Sequence, residues 1–108
     1  MGIMLGLTER ILLFIHSRFP KDCNWLNGNC YYFCVILMAR FPNELSIYYD
    51  AIAGHFIVGA PLYLETGIKV VYYDWTGIYE PRSMPILLED IKKNDESWYR
   101  RLVRDCIL

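Results

Sequence analysis

Residues 55–75 read HFIVGAPLYLETGIKVVYYDW: two arms rich in β-branched and aromatic residues around a Thr66-Gly67 turn. This pattern predicts an antiparallel hairpin. The start of its first arm then lies beside the end of its second, so His55 and Asp74 come together across nineteen positions of sequence. A turn with an even number of residues around Glu65 to Gly67 also puts both side chains on one face, because strand residues alternate with period two. They become direct or diagonal cross-strand neighbours, about 5 to 8 Å apart. Pro61 has no amide to give a ladder, so the first arm should bulge there or leave that edge free.

Upstream, NGNCYYFC (27–34) sets Cys30 after a turn-forming Asn27-Gly28-Asn29 and at the head of the apolar run CYYFCVILMARF. A run apolar almost all round predicts a helix from Cys30 to about Phe41, buried in the middle of the domain and ended by Pro42 and Asn43. Earlier still, Thr8 should cap a helix running to about Phe19, with Ile11, Leu12, Ile15 and Phe19 at helical spacing and Pro20 stopping it. Residues 21–29 form a polar loop holding Trp25, and Ser46 to Tyr49 suit a short strand. After the hairpin, WTGIYEPRSMP (75–85) reads as a loop or short strand. ILLEDIKKN and DESWYRRLVRDCIL then read as two helices, the second turning Leu102, Val103 and Ile107 inward with Trp98 as anchor.

The 108 residues suit one α+β domain with a modest core. The chain is 55% hydrophobic and 16% aromatic, with mean hydropathy +0.18, which excludes a disordered tail. A net charge of -1 offers no footprint for nucleic acid. Lys92, Lys93, Arg100, Arg101 and Arg104 are interleaved with Asp90, Asp95, Glu96 and Asp105, the pattern of a solvated helix face. The apolar start is interrupted by Glu9 and Arg10, with neither a basic leader nor a small-residue cleavage site. No stretch is long enough to span a bilayer. These features predict a cytoplasmic protein away from membranes, with Cys23, Cys30, Cys34 and Cys106 as thiols. Cys23, Cys30 and Cys34, even with His16, do not have the close spacing of a zinc site, and no metal or cofactor is expected.

A thiol is a poor nucleophile at neutral pH until an imidazolium and the positive end of a helix lower its pKa. A carboxylate then holds the imidazole in the useful tautomer. Cys30, His55 and Asp74 have the residue types and the order for this arrangement. Asp50 is a competing orienter, Cys34 suits core packing or a resolving role, and Asp74 could serve instead to cap the DWTG turn.

The segment GNCYYFCVILMARF resembles the glycine, small or polar residue, cysteine and aromatic-rich helix of transglutaminase-like proteins and the wider papain-like cysteine peptidase superfamily. GHFIVG and VVYYDWTG are similar to the later part of that core, where the histidine opens one strand and the aspartate closes the next. The resemblance covers Gly28 to Gly77, with Phe56 where a tryptophan is common and only 25 positions between Cys30 and His55. It implies a papain/transglutaminase-like core, the Cys-bearing helix packed on a small antiparallel sheet between terminal helices. It also implies Cys30 as nucleophile, His55 as general base and Asp74 as orienter.

The Cys30 backbone N–H is the natural first oxyanion donor, with Asn24, Asn27 or Asn29 as a second; Tyr72, Tyr73 and Trp75 could wall a substrate groove. The expected function is hydrolysis or acyl transfer at an amide or isopeptide bond of a protein or peptide. Two alternatives are a non-catalytic inhibitor or adaptor that binds through its aromatic surface, and a redox or acyl-carrying thiol protein centred on Cys30 and Cys34.

Overall fold

Three consecutive segments rich in β-branched and aromatic residues form β1 (Ser46–Asp50), β2 (His55–Leu64) and β3 (Gly67–Asp74), joined by tight turns. The computed structural model describes residues 6–19 and 30–107, the side chains of the last two excepted. β2 and β3 pair in register from Val58↔Tyr73 to Leu64↔Gly67 around the two-residue turn Glu65-Thr66. The even turn is therefore present, with Gly67 supplying a φ of 138° that other residues rarely adopt. Pro61 pairs with Val70 without a bulge. β1 reaches only as far as Gly59, so Pro61 lies where that edge of β2 has no partner strand among the described residues.

β4 (Gly77–Tyr79) adds to β3, and β5 (Ile86–Leu87) adds to β1. The result is a five-stranded antiparallel sheet of order β4-β3-β2-β1-β5. Four helices complete the described fold: α1 (Leu7–Arg18), α2 (Cys30–Arg40), α3 (Leu88–Asn94) and α4 (Glu96–Ile107). No helix among the described residues is long and apolar enough to cross a membrane.

Alternation divides the sheet into two faces. Phe56, Val58, Ala60 and Tyr73 join the cluster of buried residues that includes Ile11 and Ile15 of α1, Phe33, Cys34 and Leu37 of α2, and Leu88 of α3. This is the helix face. Leu102 and Val103 of α4 pack against it as expected, and Trp98 meets Tyr49 edge-on at 6.0 Å. Ile107's side chain and Pro20 lie outside the described residues. The opposite, far face carries Asp50, His55, Ile57, Gly59, Tyr72, Asp74 and Tyr79, all linked by the strand pairings.

The chain must cross from β4 at one edge to β5 at the other, and it does so over the far face. The Arg82 amide and the Ser83 hydroxyl both donate to Asp50 there, at 2.7 and 2.6 Å. Ile57 is fully buried on that face, in keeping with this cover.

Three helices differ from expectation: α3 starts only at Leu88, because Ile86 and Leu87 pair with β1 as β5. α2 buries only the stripe Cys30, Phe33, Cys34 and Leu37, while Tyr32, Val35 and Ile36 are exposed. A single helical layer on one sheet face leaves its outer stripe without a covering layer among the described residues, so an all-apolar helix need not be central. α1 starts at Leu7 with Gly6 as N-cap, and no side chain caps it. Thr8 is inside the helix and instead accepts a hydrogen bond from the Tyr73 hydroxyl at 3.2 Å. A glycine tolerates the cap position at small cost.

Gly59 lets Tyr48 lie against the far face. A Cβ there would come 2.6 Å from the Tyr48 ring and 2.9 Å from Val70 Cγ1. Gly59→Ala should therefore lower stability by about 1 to 3 kcal/mol through overpacking. Denaturant unfolding that gives wild-type stability for this variant would show that the Tyr48 ring moves aside freely.

Candidate active site

The pairing Val58↔Tyr73 aligns Ile57 with Asp74, which makes His55 the diagonal neighbour of Asp74 on the same face. His55 Nε2 lies 3.4 Å from Asp74 Oδ2, and both residues are buried. With Nε2 donating to the carboxylate, Nδ1 is the ring nitrogen left for a second partner. The other oxygen of Asp74 is used locally: Oδ1 accepts from the amide of Thr76 at 2.9 Å and from the Thr76 hydroxyl. Capping the DWTG turn and facing the imidazole are thus done by different atoms of one carboxylate. Burial pushes the Asp74 carboxyl up, but the bonds from His55 and Thr76 outweigh it and hold the group below the usual carboxylate range.

Cys30 is the first residue of α2 and is 5% exposed. The ring of its neighbour Tyr31 meets Phe56 at 5.4 Å, edge to face, so the first turn of α2 lies over the first residues of β2. Cys30 and His55 therefore lie toward the same end of the sheet, but Cys30 is buried in the helix-face cluster. Alternation sends the His55 side chain away from Phe56, toward the far face. Cys34 is buried one turn along, on the core side of α2. In the nominal zinc set, His16 is exposed on α1 and Cys23 lies outside the described residues.

Of the remaining site candidates, Asn24, Asn27 and Asn29 also lie outside the described residues. Trp75 follows Asp74 and packs against the helix-face cluster, and its indole Nε1 is buried without a hydrogen-bond partner.

Asp50, the competing orienter, is opposite His55 in the β1–β2 pair and is 0% exposed. Its carboxylate is fully engaged with other donors. Oδ2 accepts from the Tyr79 hydroxyl at 2.8 Å and the Arg82 amide at 2.7 Å; Oδ1 accepts from Ser83 Oγ at 2.6 Å and the Ala53 amide at 3.4 Å. Burial pushes the Asp50 carboxyl up, but these four donors overcome it and bring the pKa down to about 2. Tyr79 is pushed up to about 12 by burial, by donating to Asp50 and by the charges of Asp50 and Asp74.

Sequence reasoning did not single out Tyr79. Its ring lies 5.4 Å from the His55 imidazole. The available signal was alternation from Asp74 through the DWTG turn, which returns the chain along β3 with Tyr79 opposite Tyr72.

Neither family models, curated proteins nor solved structures match this chain, so the chemistry of the site rests on its own geometry.

Because the folded state binds the Asp50 proton more weakly than the unfolded chain, this group stabilises the fold above the ordinary carboxylate pKa. That contribution is lost as pH falls from near 3.8 through about 2. Asp50→Asn should remove much of this acid dependence and cost about 2 to 4 kcal/mol, since an amide cannot accept from all four donors. Equilibrium unfolding at pH 7 and across pH 2 to 4 checks both effects; equal stability of the two proteins at pH 7 would contradict the assigned bonding.

Proposed function

We propose that the chain is a minimal cysteine hydrolase or acyltransferase with a papain/transglutaminase-like core, acting on an amide or isopeptide bond of a protein or peptide. The observation that carries this reading is the buried His55–Asp74 pair, 3.4 Å apart, at the end of the sheet covered by the first turn of α2. In this reading the imidazole meets the thiol around the first residue of β2, at the end of the sheet rather than across its face. Asp74 holds Nε2, which leaves Nδ1 as the ring nitrogen for the Cys30 thiol.

His55 takes the Cys30 proton, and the resulting thiolate attacks the scissile carbonyl carbon. The oxyanion is stabilised by the Cys30 backbone N–H at the helix N-terminus and by a second donor, for which the Trp75 indole N–H is the candidate within the described residues. The imidazolium returns its proton to the leaving amine, and a thioester forms as the C–N bond breaks. Water, or an acceptor amine, then gives its proton to His55 and attacks the thioester, which releases the product and restores the thiol. Such chemistry needs a reduced thiol and so suits the cytoplasm.

A second reading, a non-catalytic domain that binds a partner through its aromatic surface, is favoured by the tip of the β2–β3 hairpin. There Tyr63 and Ile68 face each other across the ladder and are 74% and 69% exposed.

Alkylation of Cys30 with iodoacetamide, followed by mass spectrometry from pH 5 to 9, separates the two. The catalytic reading predicts that Cys30 reacts well below pH 8, and that His55→Ala slows it at least about tenfold at pH 6. Circular dichroism would verify that the variant is folded. A Cys30 that is inert in the folded protein, or whose reactivity ignores His55, would leave the binding reading in place.

A further inference from the structure

We propose that Asp50 and Tyr79 act together as positioning residues that fix the orientation of the His55 imidazole; the inference rests on the reading of His55 as the base. The imidazole is bounded on two sides. Asp74 Oδ2 faces its Nε2 edge at 3.4 Å, and the Tyr79 ring packs against it in a tilted arrangement, at a centroid distance of 5.4 Å and an interplanar angle of 60°.

Tyr79 is itself held by its hydroxyl, which donates to Asp50 Oδ2 at 2.8 Å. Asp50 cannot rotate to release it, because the Arg82 amide, Ser83 Oγ and the Ala53 amide occupy the rest of its lone pairs. The chain of contacts therefore runs from the β4–β5 crossing through Asp50 and Tyr79 to the ring of His55. It leaves Nδ1 as the edge without a fixed neighbour in this set.

A purely structural role would be met more cheaply. Burying a carboxylate is unfavourable until its partners compensate, and an apolar pair under the crossing would avoid that desolvation. What the polar arrangement adds is direction: a hydroxyl bonded to a fixed carboxylate places its ring in one position, whereas apolar packing tolerates sliding. The titratable groups against the imidazole are Asp74 from β3 and Tyr79 from β4, with Asp50 opposite it on β1, Arg82 acting on Tyr79 from the crossing and, in the catalytic reading, the Cys30 thiol from α2. Tyr79 is therefore the neighbour that can restrain the ring without adding charge at ordinary pH.

The test is Tyr79→Phe, which keeps the ring and leaves the other three donors on Asp50. Two readouts are needed: the ¹⁵N chemical shifts of the His55 ring, which report its tautomer, and the rate of Cys30 alkylation at pH 6. Ser83→Ala is the control, since it removes an Asp50 donor that does not touch His55. Loss of positioning predicts that Tyr79→Phe moves the His55 ring shifts toward a mixture of tautomers and slows Cys30 alkylation about tenfold, while Ser83→Ala, which loosens Asp50 but keeps the Tyr79 bond, changes the rate no more than about twofold and the shifts clearly less.

Wild-type values of both readouts in Tyr79→Phe would overturn the proposal, as would equal changes in both variants, which would reveal only a general loosening of the crossing. If Tyr79→Phe alone moves the His55 shifts while wild-type Cys30 reactivity ignores His55, the positioning stands and the hydrolase reading falls.

Discussion

The in-register pairing of β2 with β3 is the constraint from which the site follows. With two residues in the turn, Ile57 stands opposite Asp74, and period-two alternation puts His55 on the same face. A one-residue slip would turn one of the two side chains into the helix-face cluster and bury it there without its partner. The pair would also be lost if Pro61 introduced a bulge, because every residue before it would then change face relative to β3. Pro61 is instead accommodated in the ladder beyond the end of β1, so the register established at the turn is carried unbroken to Val58↔Tyr73.

The sheet then separates two kinds of burial. On the helix face, α1, α2 and α3 bury Phe56, Val58 and Tyr73 in one apolar cluster. On the far face, the β4–β5 crossing is held by hydrogen bonds to one carboxylate, Asp50, and the His55–Asp74 pair lies on that same face. Hydrophobic burial positions Cys30, whereas polar bonding positions His55 and Asp74. The Tyr31–Phe56 contact sets the first turn of α2 over the first residues of β2 on the helix face, and the proposed site needs the imidazole to reach the thiol around that end of the sheet. The proposed catalysis requires both sets to hold their places, which makes the polar set as important to the proposed site as the core.

Much of this was legible in the chain because it depends on local periodicity. The hairpin, its even turn, the helix beginning at Cys30, the strand at Ser46 and the terminal helices all follow from patterns a few residues long. The proximity of His55 and Asp74 followed from one further step, the topology of a hairpin. Three features were not legible, each for a reason of long range. The exposure of the outer stripe of α2 was not legible because nothing in Tyr32, Val35 or Ile36 reports how many layers the domain has. Thr8 is not the cap because the helix already begins at Leu7, and its hydroxyl instead accepts from Tyr73, 65 positions away. Asp50 is a fixed point of the fold only because Tyr79, Arg82 and Ser83 return to it across the far face, and no short-range signal marks that return.

The central claim is that the His55 imidazole, held by Asp74, also reaches the Cys30 thiol. Nuclear Overhauser contacts of the His55 ring protons in the folded protein test it most directly. The account predicts a contact between the ring and the Cys30 β-protons, which requires a separation below about 5 Å, as a thiol and imidazole within bonding reach would give. A spectrum in which the His55 ring shows its contact with Tyr79 but none with Cys30 would contradict it.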